Sequence, residues 1–163
     1  MGHKTILVLV ILIIFFGILA AATGIFYQDD SPSFEHRSVR NQTVQIYGKG
    51  LYKHMSEDVA IQGIAQDYIT LFAAIPLLII ALIGFLRRSV RSHFLLSGIL
   101  FYFFVTYLFY LTMGMYNIMF LVYVVLLGSS FFALAKNALR QFEPIRFSHY
   151  FSERTPVKQT GFF

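Results

Sequence analysis

The sequence predicts an all-α membrane protein of four transmembrane helices, with a small β-hairpin in the outer loop between the first two. Three observations carry this. The 163 residues are 57% hydrophobic and only 13% charged, against about 25% charged in globular chains. Uncharged runs long enough to cross a bilayer recur along the chain. Lys and Arg divide unevenly between the segments that separate those runs, as membrane topology requires. Cys is absent, which excludes disulfides, zinc-thiolate and iron–sulfur sites and a cysteine nucleophile. The 18% aromatic content is all Phe and Tyr, with no Trp.

The first span is Thr5–Phe26, 22 residues without a charge, or about 33 Å of helix. Lys4, the apolar run and Ala20-Ala21-Ala22 also fit a secretory signal with a small-residue cleavage site. That signal peptide is the competing reading; the run continues past the alanines through Ile25-Phe26, as an uncleaved span would. Gly17/Ala21 and Ala20/Gly24 then have the spacing that lets helices approach closely.

The outer loop spans residues 27–67. Tyr27–Arg40 is polar and reads as an irregular connection. Thr43–Tyr47 and Leu51–Met55 flank Gly48-Lys49-Gly50 and predict a hairpin over 43–55. Two strands alone are marginal, so the hairpin should lean on the helix ends. Ser56 followed by Glu57-Asp58 predicts a helix start from about residue 57, leading into the second span.

The second span is Tyr68–Leu86, followed by a short basic loop over 87–93. Phe94–Ala135 then runs 42 residues without a charge, about 63 Å as one helix, and must fold back. The break belongs at Met113-Gly114-Met115-Tyr116-Asn117, giving a third span over 94–112 and a fourth over 118–135. Residues 136–163 form the tail.

Lys4, Arg87, Arg88, Arg91, Lys136, Arg140, Arg146, Arg154 and Lys158 put nine basic residues on one side. The other side has four (Arg37, Arg40, Lys49 and Lys53) among six acids. The expected location is therefore a bacterial plasma (inner) membrane, with both termini cytoplasmic and the long loop outside. The Arg87–Arg91 cluster is then the topology determinant, with attraction to anionic headgroups as a corollary.

Polar groups in a bilayer are costly unless paired, so their positions are the best functional clue. Tyr102, Thr106 and Tyr110 form a stripe at helical spacing on the third span. Asp67, Thr70, Thr106, Tyr110, Asn117 and Tyr123 fall toward the outer side and could line a pocket lidded by the hairpin residues Tyr47, Gly48, Gly50 and Tyr52. The alternative is that these groups simply bond helices together or sit in the interfacial belt. No second intramembrane acid or base accompanies Asp67, so an ion-coupled transporter lacks its usual parts.

No metal site and no cofactor are expected. His36, His54, Glu35, Glu57 and Asp58 lack a spacing fixed on a known element. Gly48-Lys49-Gly50 lacks the strand–helix context of a nucleotide loop. Ser129 and Ser130 have no His within any span to activate them. Asn41-Gln42-Thr43 matches the glycosylation triplet, which matters only in a eukaryotic secretory path. The expected partners are the lipid bilayer and a homo-oligomer or membrane-protein partner that buries the polar stripes, with no nucleic acid.

Val44–Tyr52 resembles the outer-loop signature of a family of uncharacterised bacterial polytopic membrane proteins. Gln66–Leu71 followed by Pro76 resembles the opening of that family's second span. Tyr107–Tyr110, Tyr116-Asn117 and Phe120–Tyr123 are similar to its third and fourth. The resemblance implies fold and location and brings no activity or catalytic residue. It also implies longer members: Phe151–Pro156 resembles the approach to a further span, with Thr160–Phe163 as its first residues, so the chain is expected to be a truncated form. Two function classes follow. One is a non-enzymatic membrane component (sensor, assembly factor or subunit) using its outer loop and outer-facing helix ends. The other is a transporter or integral membrane enzyme with an outward-opening polar pocket around Asp67.

Overall fold

The computed structural model describes residues 2–141, apart from Gln28, Asp30 and Arg40. The tail over 142–163, with its expected further span, lies outside the described residues. Among the described residues there are five α-helices: α1 (Gly2–Phe26), α2 (Glu57–Ile69), α3 (Ile75–Leu86), α4 (Val90–Thr112) and α5 (Phe120–Gln141). α2 and α3 are one continuous 30-residue helical stretch, so four helices are long and apolar enough to cross a membrane. Between α1 and α2 lies a two-stranded antiparallel hairpin, β1 (Phe34–Arg37) and β2 (Thr43–Ile46).

The stretch joining α2 to α3 is a π-helical segment, Thr70–Ala74, in which the Ile75 amide bonds back to the Thr70 carbonyl. Pro76 follows immediately. Its ring has no N–H to give and crowds the preceding turn, so the ladder widens by one residue ahead of it.

Both tight helix–helix turns are built the same way. At the end of α4, Gly114 has φ +67°, and the amides of Gly114 and Met115 bond to the carbonyls of Leu111 and Tyr110. At the end of α3, Arg88 has φ +58°, and the amides of Arg88 and Ser89 bond to Phe85 and Gly84. These are Schellman closures, which satisfy the last helical carbonyls inside a very short connection. Gly114 takes the left-handed position without cost, whereas Arg88 pays for its Cβ.

α1 packs against α5, α2 and α3, and α4 against α3 and α5. Ile6, Val10, Ile13, Leu78, Phe85, Leu96, Leu100, Phe103 and Leu126 form the buried interior. Large apolar side chains such as Phe15, Phe72, Ile80, Phe109, Leu121 and Phe132 cover the outside. An apolar exterior on apolar helices is the signature of lipid contact.

The loop corrects the sequence reading. Thr43–Ile46 is a strand, but it pairs with Phe34–Arg37, in the register Phe34↔Ile46 to Arg37↔Thr43. The segment expected to be irregular therefore supplies one strand. Leu51–Met55 supplies none: Gly50–Tyr52 is a 3-10 turn. The chain still folds back on β2, through an isolated bridge Ile46↔Ser56 and the bond from the Tyr47 amide to the Met55 carbonyl. The glycines explain the difference. Gly48 (φ +74°) and Gly50 (φ +57°) lie against the carbonyls of Pro32 and Tyr27, where a Cβ would approach to 2.5 Å. They serve close backbone packing onto the helix end rather than a free hairpin tip. Ser56 caps α2 as expected by position, with Glu57 and Asp58 in the first turn, but its side chain makes no cap bond.

Candidate functional site

The loop folds Tyr52 under itself, and its side chain is 1% exposed. The Tyr52 hydroxyl donates to Asp67 Oδ2 at 2.6 Å. The Tyr110 hydroxyl lies 3.3 Å from Asp67 Oδ1, 3.2 Å from the Gly63 carbonyl and 3.3 Å from the Tyr52 hydroxyl. Its one proton serves a single acceptor at a time. Burial pushes the Tyr52 phenol far above its ordinary pKa, so it stays a donor. Asp67 is the only buried acid among the described residues.

Two glycines make room for this cluster. A Cβ on Gly24 of α1 would overlap the Asp67 carboxylate, and one on Gly63 of α2 would meet the Tyr52 ring at 2.7 Å. The small-residue face expected on the first span thus lets α1 reach the acid on α2. Beneath the cluster, Tyr107, Tyr110 and Tyr123 pack as a triad, with ring centroids 5.2–5.7 Å apart.

A second network lies one turn deeper. Gln66 Nε2 donates to the Tyr102 hydroxyl (2.8 Å) and to Thr106 Oγ1 (3.1 Å). Thr70 Oγ1 and the Tyr102 hydroxyl are 2.8 Å apart. Nearer the surface, Asn117 Nδ2 reaches the Tyr123 hydroxyl (3.4 Å) and the Leu51 carbonyl (3.5 Å). Its Oδ1 accepts from the Met119 amide at 2.9 Å.

Asp67, Tyr110 and Tyr52 thus form one hydrogen-bonded group, and Thr70 and Thr106 a second with Tyr102. Asn117 with Tyr123 ties the α4–α5 turn to the loop. Tyr47 is half-buried beside the helix ends. The arrangement differs from a pocket lined by all six. Thr106 and Tyr110 border an open groove of about 670 Å³ between α2 and α4, while Asp67, Thr70, Asn117 and Tyr123 are not on its wall. A smaller recess of about 260 Å³ lies at the loop, bordered by Tyr27, Asp29, Tyr47, Lys49, Gly50 and Tyr52. Asp29 there accepts from Lys53 Nζ at 2.7 Å, and this bond and charge hold the Lys53 ammonium above its ordinary pKa.

Gln66 escaped the sequence reading, although it stands at i−1 to Asp67 and i−4 to Thr70 on the same helix. So did a cluster on the arginine side. His93, assigned to the basic loop, lies within α4 and is 5% exposed, which corrects the expectation that no His lies in a span. Its Nδ1 is 3.1 Å from Asn137 Oδ1, and Asn137 Nδ2 donates to the His93 carbonyl (3.0 Å) and Ser97 Oγ (2.8 Å). Ser130 Oγ donates to the Leu127 carbonyl at 3.0 Å. Among the described residues no three His, Asp or Glu side chains gather as a metal site.

Four long apolar helices in a bundle with an apolar exterior define a multi-pass integral membrane protein in contact with the bilayer. No family model matches the chain, and neither the curated proteins nor the solved structures hold a match to it.

Proposed function

We propose that the protein is a non-enzymatic membrane component, a subunit, sensor or assembly factor, that presents a rigid outer loop to a partner. The observation that carries this is the bond from Tyr52 to Asp67. The one buried acid among the described residues is spent on locking the loop to α2 and α4 and is held off the groove wall. A catalytic or transport carboxylate needs access to substrate. The lock leaves Lys49 exposed and Tyr47 half-buried at the edge of a loop whose glycines let its backbone pack closely against Pro32 and Tyr27. Retention of α1 in the mature protein is supported by the contact of Gly24 with Asp67. The distribution of nine basic residues against four supports cytoplasmic termini in a bacterial inner membrane. Membership of an uncharacterised bacterial multi-span family rests on the sequence segments named above.

The test is complementation in cells lacking the protein. Lys49→Glu and Tyr47→Ala are expected to lose function while Asp67→Asn, at equal protein level, keeps it. The reverse pattern would establish the transporter or enzyme reading instead.

A further inference from the structure

We propose that the groove between α2 and α4 binds a neutral, hydroxyl-bearing lipid from the leaflet on the loop side. α4 leaves α2 open along this line, and side chains rather than close backbone contact bridge the two helices. The groove runs on α4 from Met113 to Gly98, about 22 Å at helical rise. That matches one leaflet with its headgroup zone, half of the roughly 40–45 Å of a bilayer. A spanning helix would need a seat along the whole bundle. The volume of about 670 Å³ lies within the roughly 300–1,000 Å³ of small-molecule sites.

The chemistry of the wall names the ligand class. Phe101, Val105 and Phe109 offer apolar surface to a chain, and no charged side chain lines the groove. Gln66 uses its amide N–H groups on Tyr102 and Thr106, while its carbonyl oxygen makes no hydrogen bond among the described residues. The Gln62 amide, one turn toward the loop, makes none either. A bound hydroxyl can donate to the Gln66 carbonyl and accept from the Gln62 amide, pairing both groups at once. A diacylglycerol-like molecule supplies a hydroxyl, no charge and a tail. At the deep end, Gly98 has nothing within 4 Å of the position a Cβ would take, which leaves the floor clear for the chain. The site is independent of the loop's role as a docking platform, and lipid occupancy is read without complementation, so either can fail alone.

The test uses the full chain reconstituted in phosphatidylcholine vesicles doped with a photoactivatable diacylglycerol, the labelled residues being mapped by mass spectrometry. Labelling is expected within 59–66 and 98–113, and at least fivefold lower in Gly98→Leu, which fills the floor. Gly128→Leu, an equally open position on α5, should label as the unaltered protein does. Val105→Phe fills the same groove if Gly98→Leu does not reconstitute. The methyl ether of the probe should label at least fivefold less. Equal labelling of the groove-filling variant, equal labelling by the ether, or a second protein chain crosslinked at these residues would each overturn the proposal.

Discussion

Removing one oxygen should unlock the loop. Tyr52→Phe keeps the buried ring and deletes the donor 2.6 Å from Asp67. The remaining donor, Tyr110, stands at 3.3 Å and also faces the Gly63 carbonyl, so it compensates only in part. A buried acceptor losing its main partner costs about 1–3 kcal/mol, and interhelical bonds in membranes reach about 1.7 kcal/mol. A loss of about 2 kcal/mol raises loop opening about 30-fold. The assay is trypsin cleavage at Lys49–Gly50, mapped by mass spectrometry. Lys49 is exposed but Gly50, Leu51 and Tyr52 are buried, so cleavage reads the open population. Tyr107→Phe is the control: this buried ring packs on Tyr110 and Tyr123 beneath the cluster, but its hydroxyl makes no hydrogen bond among the described residues. Its cleavage should be unchanged or slower. If Tyr52→Phe is cut within twofold of the unaltered protein, the bond to Asp67 does not hold the loop.

Gly24→Ala forces α1 away from Asp67 and should destabilise the protein in detergent by about 1–3 kcal/mol, as overpacking does; an unchanged thermal midpoint would contradict the contact. Asn137→Leu deletes three hydrogen bonds between α4 and α5. At about 0.6 kcal/mol each, that is a loss of about 2 kcal/mol in denaturant unfolding. Arg88→Gly relieves a left-handed side chain at φ +58° and should raise stability by about 1 kcal/mol in the same assay.

The spans were legible because bilayer thickness turns composition directly into length: uncharged runs of 22 and 42 residues leave few ways to fold. The turn at Gly114 was legible for a similar reason, since the only Gly in the middle of the long run fell where the left-handed closure needs it. The strand pairing was not. Period-2 patterning marks Thr43–Ile46 as a strand but carries no information about its partner, and the exposed Phe34–Arg37 has no apolar alternation to reveal it. Gly48 and Gly50 suggest a turn, whereas the backbones that crowd them, at Pro32 and Tyr27, are visible only in three dimensions. The polar stripe Tyr102–Thr106–Tyr110 was readable from helical spacing. That Gln66 joins it, and that Tyr52 rather than solvent meets Asp67, depends on how α2 turns toward α4. His93 is hidden in the sequence because the charge of Arg91 reads as loop, whereas the helix begins at Val90.

Four helices crossing a bilayer would put the loop and the α4–α5 turn on one side and the α3–α4 turn on the other. Because the chain has no Cys, a cysteine-accessibility scan tests this arrangement directly. Lys49→Cys, Tyr116→Cys and Ser89→Cys are each challenged on intact cells with a membrane-impermeant thiol reagent, with Thr106→Cys as a buried probe. Lys49→Cys and Tyr116→Cys are expected to label together, Ser89→Cys only after the membrane is permeabilised, and Thr106→Cys not at all. Labelling of Ser89→Cys alongside Lys49→Cys on intact cells would contradict this arrangement.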